Sequence, residues 1–451
     1  MTKSIFIIFF LFTWLSGISQ DTKSTYLLKE AIDFALTNNN LVKSSELDRQ
    51  LAKAKIGEVR AGALPQINGN ADLLHYLQVQ KNILENGIGF NTNPNLPIGT
   101  VNKIQLGLPN QFLPNITGSQ SLLDVALFSN LNASSTLQII AEKNVTRTKI
   151  DIALNVIGAY YAVLVNEKQL ISINANLNRL DSSYIQAKAE FEQGLARTID
   201  VDRREVSYNN LKEEKIRIES SYLLSMSVLK YQMNIAPETQ ITLTDKLDES
   251  ILTGLETTFL QKGTYNNRIE YSILSAQKKM YSFDTRTAKA SRYPRLLAIG
   301  AIGYNPGASE FKNLTQSVRW EQYSYVGLRL QVPILNGFVS HYRVQQRKIQ
   351  EQKTDLDIKQ LEKTIDLETE QSVINLNNNL KSLQTQKRNL QLAVNTLKLL
   401  KAENAEGISS NLDVTVAESD FITAQTNYYN ALYGALVSKA DYDRSTGNLL
   451  K

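Results

Sequence analysis

From Leu376 onward, the apolar residues of the last quarter of the chain step by four and three: Leu376, Leu380, Leu383, then Leu390, Val394, Leu397. That period of 3.5 is a heptad seam, which predicts a long helix built to pack along another. After Gly407 the seam resumes through Val414, Ala417, Phe421, Ala424, Tyr428, Ala431 and Ala435. The stretch Phe338 to Lys451 has no proline and only Gly407, Gly434 and Gly447 as glycines, so little else interrupts it. The pattern predicts two helices folded back at Gly407, the first a rod of about 65 residues and ~100 Å at ~1.5 Å per residue.

The same grammar occurs earlier. Leu170, Ile173, Leu177, Leu180, Tyr184, Ala187 and Phe191 carry a heptad seam within a helix over 130–193. Gly194 interrupts it, and a returning helix over 200–234 stops before Pro237. Nearer the N-terminus, Leu27, Leu28, Ala31, Ile32, Ala35 and Leu36 form a helical stripe closed by Asn38, Asn39 and Asn40, with a second helix over 41–61.

Between these helices the period changes to two. Ile67, Gly69, Ala71, Leu73, His75, Leu77 and Val79 alternate with mostly polar residues, which predicts a strand with one apolar face. Lys81 to Asn115, rich in Asn, Gly and Pro, reads as a long loop, with a partner strand over 116–127. Later come a helix over 255–290, a strand from Pro294 through Tyr304, a shorter loop, and a strand over 322–332 with Val326, Leu328, Leu330 and Val332 on its apolar side.

The two halves are a repeat. Gly194-Leu-Ala-Arg-Thr-Ile-Asp200-Val201 matches Gly407-Ile-Ser-Ser-Asn-Leu-Asp413-Val414, and Glu205 falls opposite Glu418. The division expected is residues 20–245 (strand pair about 65–127, helical hairpin about 130–234) and residues 246–451 (strand pair about 294–332, hairpin about 338–446). Pro65 to Ala126 spans 61 positions against 39 for Pro294 to Pro333, so the halves differ mainly in one loop.

Forty-nine basic residues against 44 acidic ones, spread without a dense block, give no nucleic-acid surface. Cysteine is absent, which excludes thiolate metal sites, a cysteine nucleophile and a lipid-modified N-terminal cysteine. With only His75 and His341 as histidines, no catalytic, cofactor or metal centre is expected. Lys3, the apolar run Ile5 to Leu15, and the small residues Gly17 and Ser19 predict a signal peptide over residues 1–19. No later run is expected to be long enough for a transmembrane helix.

Four strands of about 11 residues, each with an apolar side, suit a tilted membrane strand. Open edges are not tolerated in lipid and four strands cannot close, so the pattern requires oligomerisation. Tyr76, Tyr304, Trp320, Tyr323 and Tyr325, near strand ends, are candidates for an aromatic girdle. The alternative is a secreted or periplasmic coiled-coil scaffold or adhesin without a pore, its strands forming a soluble sheet.

Taken together, Leu28-x-Glu30-Ala31-Ile32-x-x-Ala35-Leu36-x-x-Asn39-Asn40, Ala63-Leu64-Pro65, Val332-Pro333-Ile334-Leu335-Asn336-Gly337 and the two Gly-x5-Asp-Val turns resemble the outer-membrane efflux protein family, the TolC-like channels. The resemblance implies a mainly α fold with a membrane β-barrel: a homotrimer whose four strands per chain make a 12-stranded barrel, continuous with a periplasmic tunnel of helical hairpins. It implies an exit duct in the Gram-negative outer membrane, without enzymatic activity, serving a tripartite efflux pump or type I secretion system. The implied partners are a periplasmic adaptor, an inner-membrane RND or ABC-type transporter and outer-membrane lipid. In such channels the hairpin turns form the periplasmic tip, so Gly194, Asp200, Gly407 and Asp413 become adaptor-contact candidates and Asp413 a pore-constriction candidate. Val416 stands where some members carry a second aspartate, and Ser409 where some carry a basic gating residue. The plainer reading makes Asp200 and Asp413 N-caps of their helices.

Overall fold

The computed structural model describes residues 25–87, 94–105, 107–247, 249–252 and 265–450. The expected signal peptide and the start of the helix expected from Leu255 lie outside them. In chain order, β1 (Thr25–Tyr26), α1 (Leu28–Asn38) and α2 (Asn40–Ala61) lead into β2 (Gln66–His75). Two short strands, β3 (Lys81–Glu85) and β4 (Val101–Gln105), precede β5 (Asn110–Leu123). Then come α3 (Val125–Glu192), α4 (Thr198–Met233), β6 (Thr242–Leu243) and α5 (Ile269–Ala290). The chain continues through β7 (Arg295–Tyr304), β8 (Gly307–Ala308) and β9 (Gln322–Gln331) into α6 (Val339–Ala405) and α7 (Asn411–Ser445).

The chain divides into two compact units, residues 25–43, 148–264 and 366–451 forming one among those described, and residues 44–147 and 265–365 the other. In the first, α1 and parts of α3, α4, α6 and α7 bury a core that includes Ile152, Val156, Tyr160, Leu229, Leu376 and Leu432. β1 pairs in parallel with β6. Asp245, just past β6, accepts the Leu28 N–H at 2.7 Å and so caps α1 from 217 residues away. The same oxygen lies 2.8 Å from the Tyr160 hydroxyl, which is also 3.0 Å from the Tyr26 carbonyl oxygen. Burial, and then the Asp245 carboxylate, push the Tyr160 phenol well above its ordinary pKa. A correction concerns α3, which does contain a stretch long and apolar enough to cross a membrane. Its apolar side chains serve the core instead: 56% of that window is buried.

The second unit holds an antiparallel sheet in the order β2-β5-β7-β9. Register decides which side chains share a face. Ile67 pairs with Gly118, Ile116 with Ile302, Gly300 with Val326 and Leu296 with Leu330, so the apolar alternates of all four strands lie on one side. Asn68 pairs with Thr117, Ser119 with Ile299, Ala301 with Tyr325 and Leu297 with Arg329, giving a second face rich in polar groups. Pro114 falls just beyond the last β5–β7 pair, where its missing N–H breaks no ladder bond. β2 and β9 are the two edges, and every residue of both is exposed.

Three boundaries differ from the sequence pattern. The strand expected over 116–127 occupies Asn110–Leu123, and helix begins at Val125. Asp124 decides this, because its Oδ1 accepts the N–H groups of Ala126 and Leu127 at 2.9 and 3.1 Å and starts a helix inside an apolar run. The expected loop Lys81 to Asn115 contains the β3–β4 hairpin. Asn86, buried in its connection, donates to the Leu96 and Pro97 carbonyls at 2.6 and 3.3 Å. Finally, β2 ends at His75 instead of continuing to Val79.

Candidate functional site

The two hairpin turns of the first unit share one backbone. Gly194 and Gly407 both have φ +77°, the left-handed region that an L side chain enters only with strain. In one turn Gly194 N–H donates to Phe191 O at 2.9 Å and Leu195 N–H to Glu190 O at 2.8 Å. In the other, Gly407 N–H donates to Asn404 O at 3.0 Å and Ile408 N–H to Glu403 O at 2.8 Å. These are matching Schellman closures of the two long helices.

The returning helices start differently. Asp200 and Asp413 are not N-caps: the caps are Arg197 and Ser410, and each aspartate stands three residues on. Asp413 Oδ2 accepts the Ser410 N–H at 3.0 Å and its hydroxyl at 2.6 Å, while Ser410 Oγ lies 3.2 Å from the Asp413 N–H it caps. Asp200 instead takes a two-point contact from Arg197, Nε to Oδ2 at 2.9 Å and Nη2 to Oδ1 at 3.2 Å. Arg197 holds the Asp200 carboxyl below the ordinary range, and Ser410 does the same for Asp413. Both aspartates are therefore charged at neutral pH. Around them Leu195 (77% exposed) and Ile408 (71%) stand open to solvent, as do Ile199, Leu412 and Val416.

Contacts between hairpins were not legible from heptads. Arg204 reaches from α4 to Ser183 on α3 and to Asn411 Oδ1 on α7 at 3.0 Å. Arg179 of α3 lies over the Phe421 ring of α7 at 5.2 Å, and Asn176 donates to Gln425 at 3.3 Å. Glu418 is buried and paired with Lys401 at 2.6 Å, whereas Glu205, its counterpart in the repeat, is exposed and accepts only the Tyr184 hydroxyl at 3.2 Å.

The five girdle candidates separate. Tyr304 and Trp320 come together, ring centroids 5.6 Å apart, and Trp320 also meets Phe112 at 5.8 Å while donating its indole N–H to Leu314 O at 2.8 Å. Tyr304 and Phe112 have the strand parity of the apolar face. Phe112 lies in a segment whose composition predicts a loop, so the pattern does not single it out. Tyr323 and Tyr325 lie on the polar-rich face, paired with Gly303 and Ala301, and Tyr76 falls just past the end of β2. Gly303 is obligatory there: a Cβ would come within 2.8 Å of Pro114 O and 3.0 Å of the Tyr323 ring. No group of three or more metal-ligating side chains occurs among the described residues.

Residues 31–230 and 279–448, well over half of the chain, match the model of a family described as Outer membrane efflux protein. Outer membrane protein TolC of Escherichia coli (strain K12) is 21% identical over 443 residues, covering 96% of this chain and 85% of that protein. Its Salmonella enteritidis counterpart is 20% identical over 440 residues, covering 96% and 84%. Among solved structures, the open-state Neisseria gonorrhoeae MtrE outer membrane channel superposes with a TM-score of 0.72 at 15% identity, over 94% of this chain and 89% of that one. The Campylobacter jejuni CmeC outer membrane channel gives 0.71 at 15% identity, over 94% and 86%.

Proposed function

As this chain belongs to the outer membrane efflux protein family and is an outer-membrane efflux channel, we propose that three copies close one 12-stranded barrel and act as the exit duct of a tripartite pump or type I secretion system. One observation carries the stoichiometry: the four long strands of the sheet, apolar on one face and polar-rich on the other, leave both edges β2 and β9 unpaired, the two-residue β8 pairing only with the end of β5. Lipid supplies no partner for an edge, and the smallest membrane barrels have about eight strands. Three copies joined β9 to β2 give twelve, and a water-filled interior lined by the polar face.

In this reading the hairpin turns are the periplasmic tip. The exposed Leu195, Ile199, Ile408 and Leu412 beside Gly194 and Gly407 suit a helical-hairpin adaptor, which in turn engages an RND or ABC-type inner-membrane transporter. Asp413, charged and exposed, would form a ring of three carboxylates narrowing the passage, with Asp200 held by Arg197. Planar-bilayer recordings on the detergent-extracted oligomer test the duct: discrete conductances from intact trimers are expected. A water-soluble monomer, or trimers that never conduct, would overturn it in favour of a scaffold. For the ring, Asp413→Asn is expected to weaken block by polyvalent cations applied from the tip side, and unchanged block would remove Asp413 from the constriction.

A further inference from the structure

At the foot of the sheet, α5 and α6 flank an open cavity of about 770 Å³ lined by Lys289, Arg292, Tyr293, His341, Gln345 and Lys348, among others, with no carboxylate in its wall. Lys289, Arg292 and Lys348 form no ion pair with any described residue. Of the nearest carboxylates along the same two helices, Glu351 accepts from Thr285 at 3.4 Å, Asp355 pairs with Lys278 at 2.6 Å, and Asp284 lines a different pocket beside Met280 and Leu127. Three unneutralised cations around one open cavity favour an anion.

Position says which anion. Tyr293 precedes β7 by two residues, and α6 follows β9 after a short connection in which Ile334 (95% exposed), Leu335 and Phe338 stand free. Apolar side chains beside long cationic ones are the composition of a bilayer boundary, where the stems sit in hydrocarbon and the charges meet headgroups.

We propose that this cavity binds the phosphodiester headgroup of an anionic glycerophospholipid in the leaflet facing the helices. Lys289, Arg292 and Lys348 neutralise the phosphate, and Tyr293 and Phe338 border the acyl chains. The proposal rests on the barrel lying in the membrane, as above.

Native mass spectrometry of the delipidated trimer, titrated with phosphatidylglycerol or phosphatidylcholine of identical chains, tests it. Wild type is expected to retain phosphatidylglycerol about tenfold better, and K289Q/R292Q/K348Q to lose that preference. K188Q/K212Q/K398Q, on helix surfaces away from the cavity, is expected to keep it. Equal retention of the two lipids by wild type, or an unchanged preference in the cavity variant, overturns the proposal. So does displacement of phosphatidylglycerol by millimolar inorganic phosphate, which would mark a free-anion site, or protection of the cavity by a neighbouring copy in the lipid-free trimer. Should the triple variant fail to assemble, the wild-type selectivity and Lys348→Gln carry the same outcomes. A trimer that conducts without lipid preference defeats this inference alone; failure to form conducting trimers defeats the channel.

Discussion

The two hairpin turns begin from the same backbone and end with different chemistry. Each closes its long helix with a glycine at φ +77° and the same pair of backbone hydrogen bonds. Each restarts with an aspartate three residues into the returning helix. Yet Asp200 is held by a cation and Asp413 by a hydroxyl and an N–H. Five residues further on, the divergence widens: Glu418 is buried against Lys401, while Glu205 is exposed. Duplication preserved what geometry demands and left free what merely satisfies the helix end. The turn around Gly407 is tied inward, and the turn around Gly194 is held by groups that water and salt can reach.

The largest expected effect tests that inward tie. Lys401→Met strands the buried Glu418 carboxylate and should cost about 1–3 kcal/mol locally. Hydrogen exchange over the first turns of α7 would then quicken about tenfold or more, while Glu205→Gln leaves α4 nearly unchanged. Equal responses would erase the distinction. Next, Gly194→Ala and Gly407→Ala should each cost about 1–2 kcal/mol, and by the same amount, since both force a Cβ into the left-handed region with open space around it. Unequal costs would mean that something besides backbone strain separates the turns.

Smaller still is Ser410→Ala, which removes a helix cap worth about 1 kcal/mol. Its effect should persist in 1 M salt, whereas the effect of Arg197→Ala should be confined to low ionic strength, because that pair is exposed and screened. Protease sensitivity of the two turns, measured across a salt series, separates them. Acid gives the smallest signal. Both aspartates have folded pKa values depressed below the ordinary 3.8, so their contribution is present above that value and is lost as pH falls through the lower folded one. Below about pH 4 both helix starts should fray in low salt, and in high salt only the one at Asp413 should still respond.

Much of this architecture could be read from the chain because it is periodic. The seams through Ile173 and Leu180, and through Leu376 and Leu383, end up buried, and the strand alternation correctly sorted Ile67 from Asn68 and Val326 from Tyr325. What escaped was decided by single contacts or by distance along the chain. Asp124 turns an apparent strand into helix with one carboxylate oxygen. Asn86 builds a hairpin turn from within a polar stretch that carries no alternation strong enough to notice. Asp245 caps a helix 217 residues away, and Arg204 joins two hairpins; neither leaves a local trace. The aspartates of the turns were found by repetition, but repetition could not reveal that their partners differ. Of the aromatic candidates near strand ends, Tyr304 and Trp320 come together, and parity places Tyr323 and Tyr325 on the opposite face from Tyr304.

The unpaired margins of the sheet have a consequence for biogenesis. A lone subunit has no resting place in a bilayer, since its β2 and β9 ladders would lie naked in oil. If three copies close one barrel, entry into the membrane and meeting two siblings become a single event, steeply dependent on how much polypeptide is waiting. Until that meeting, the ribbon is a sticky intermediate that the cell has to shepherd.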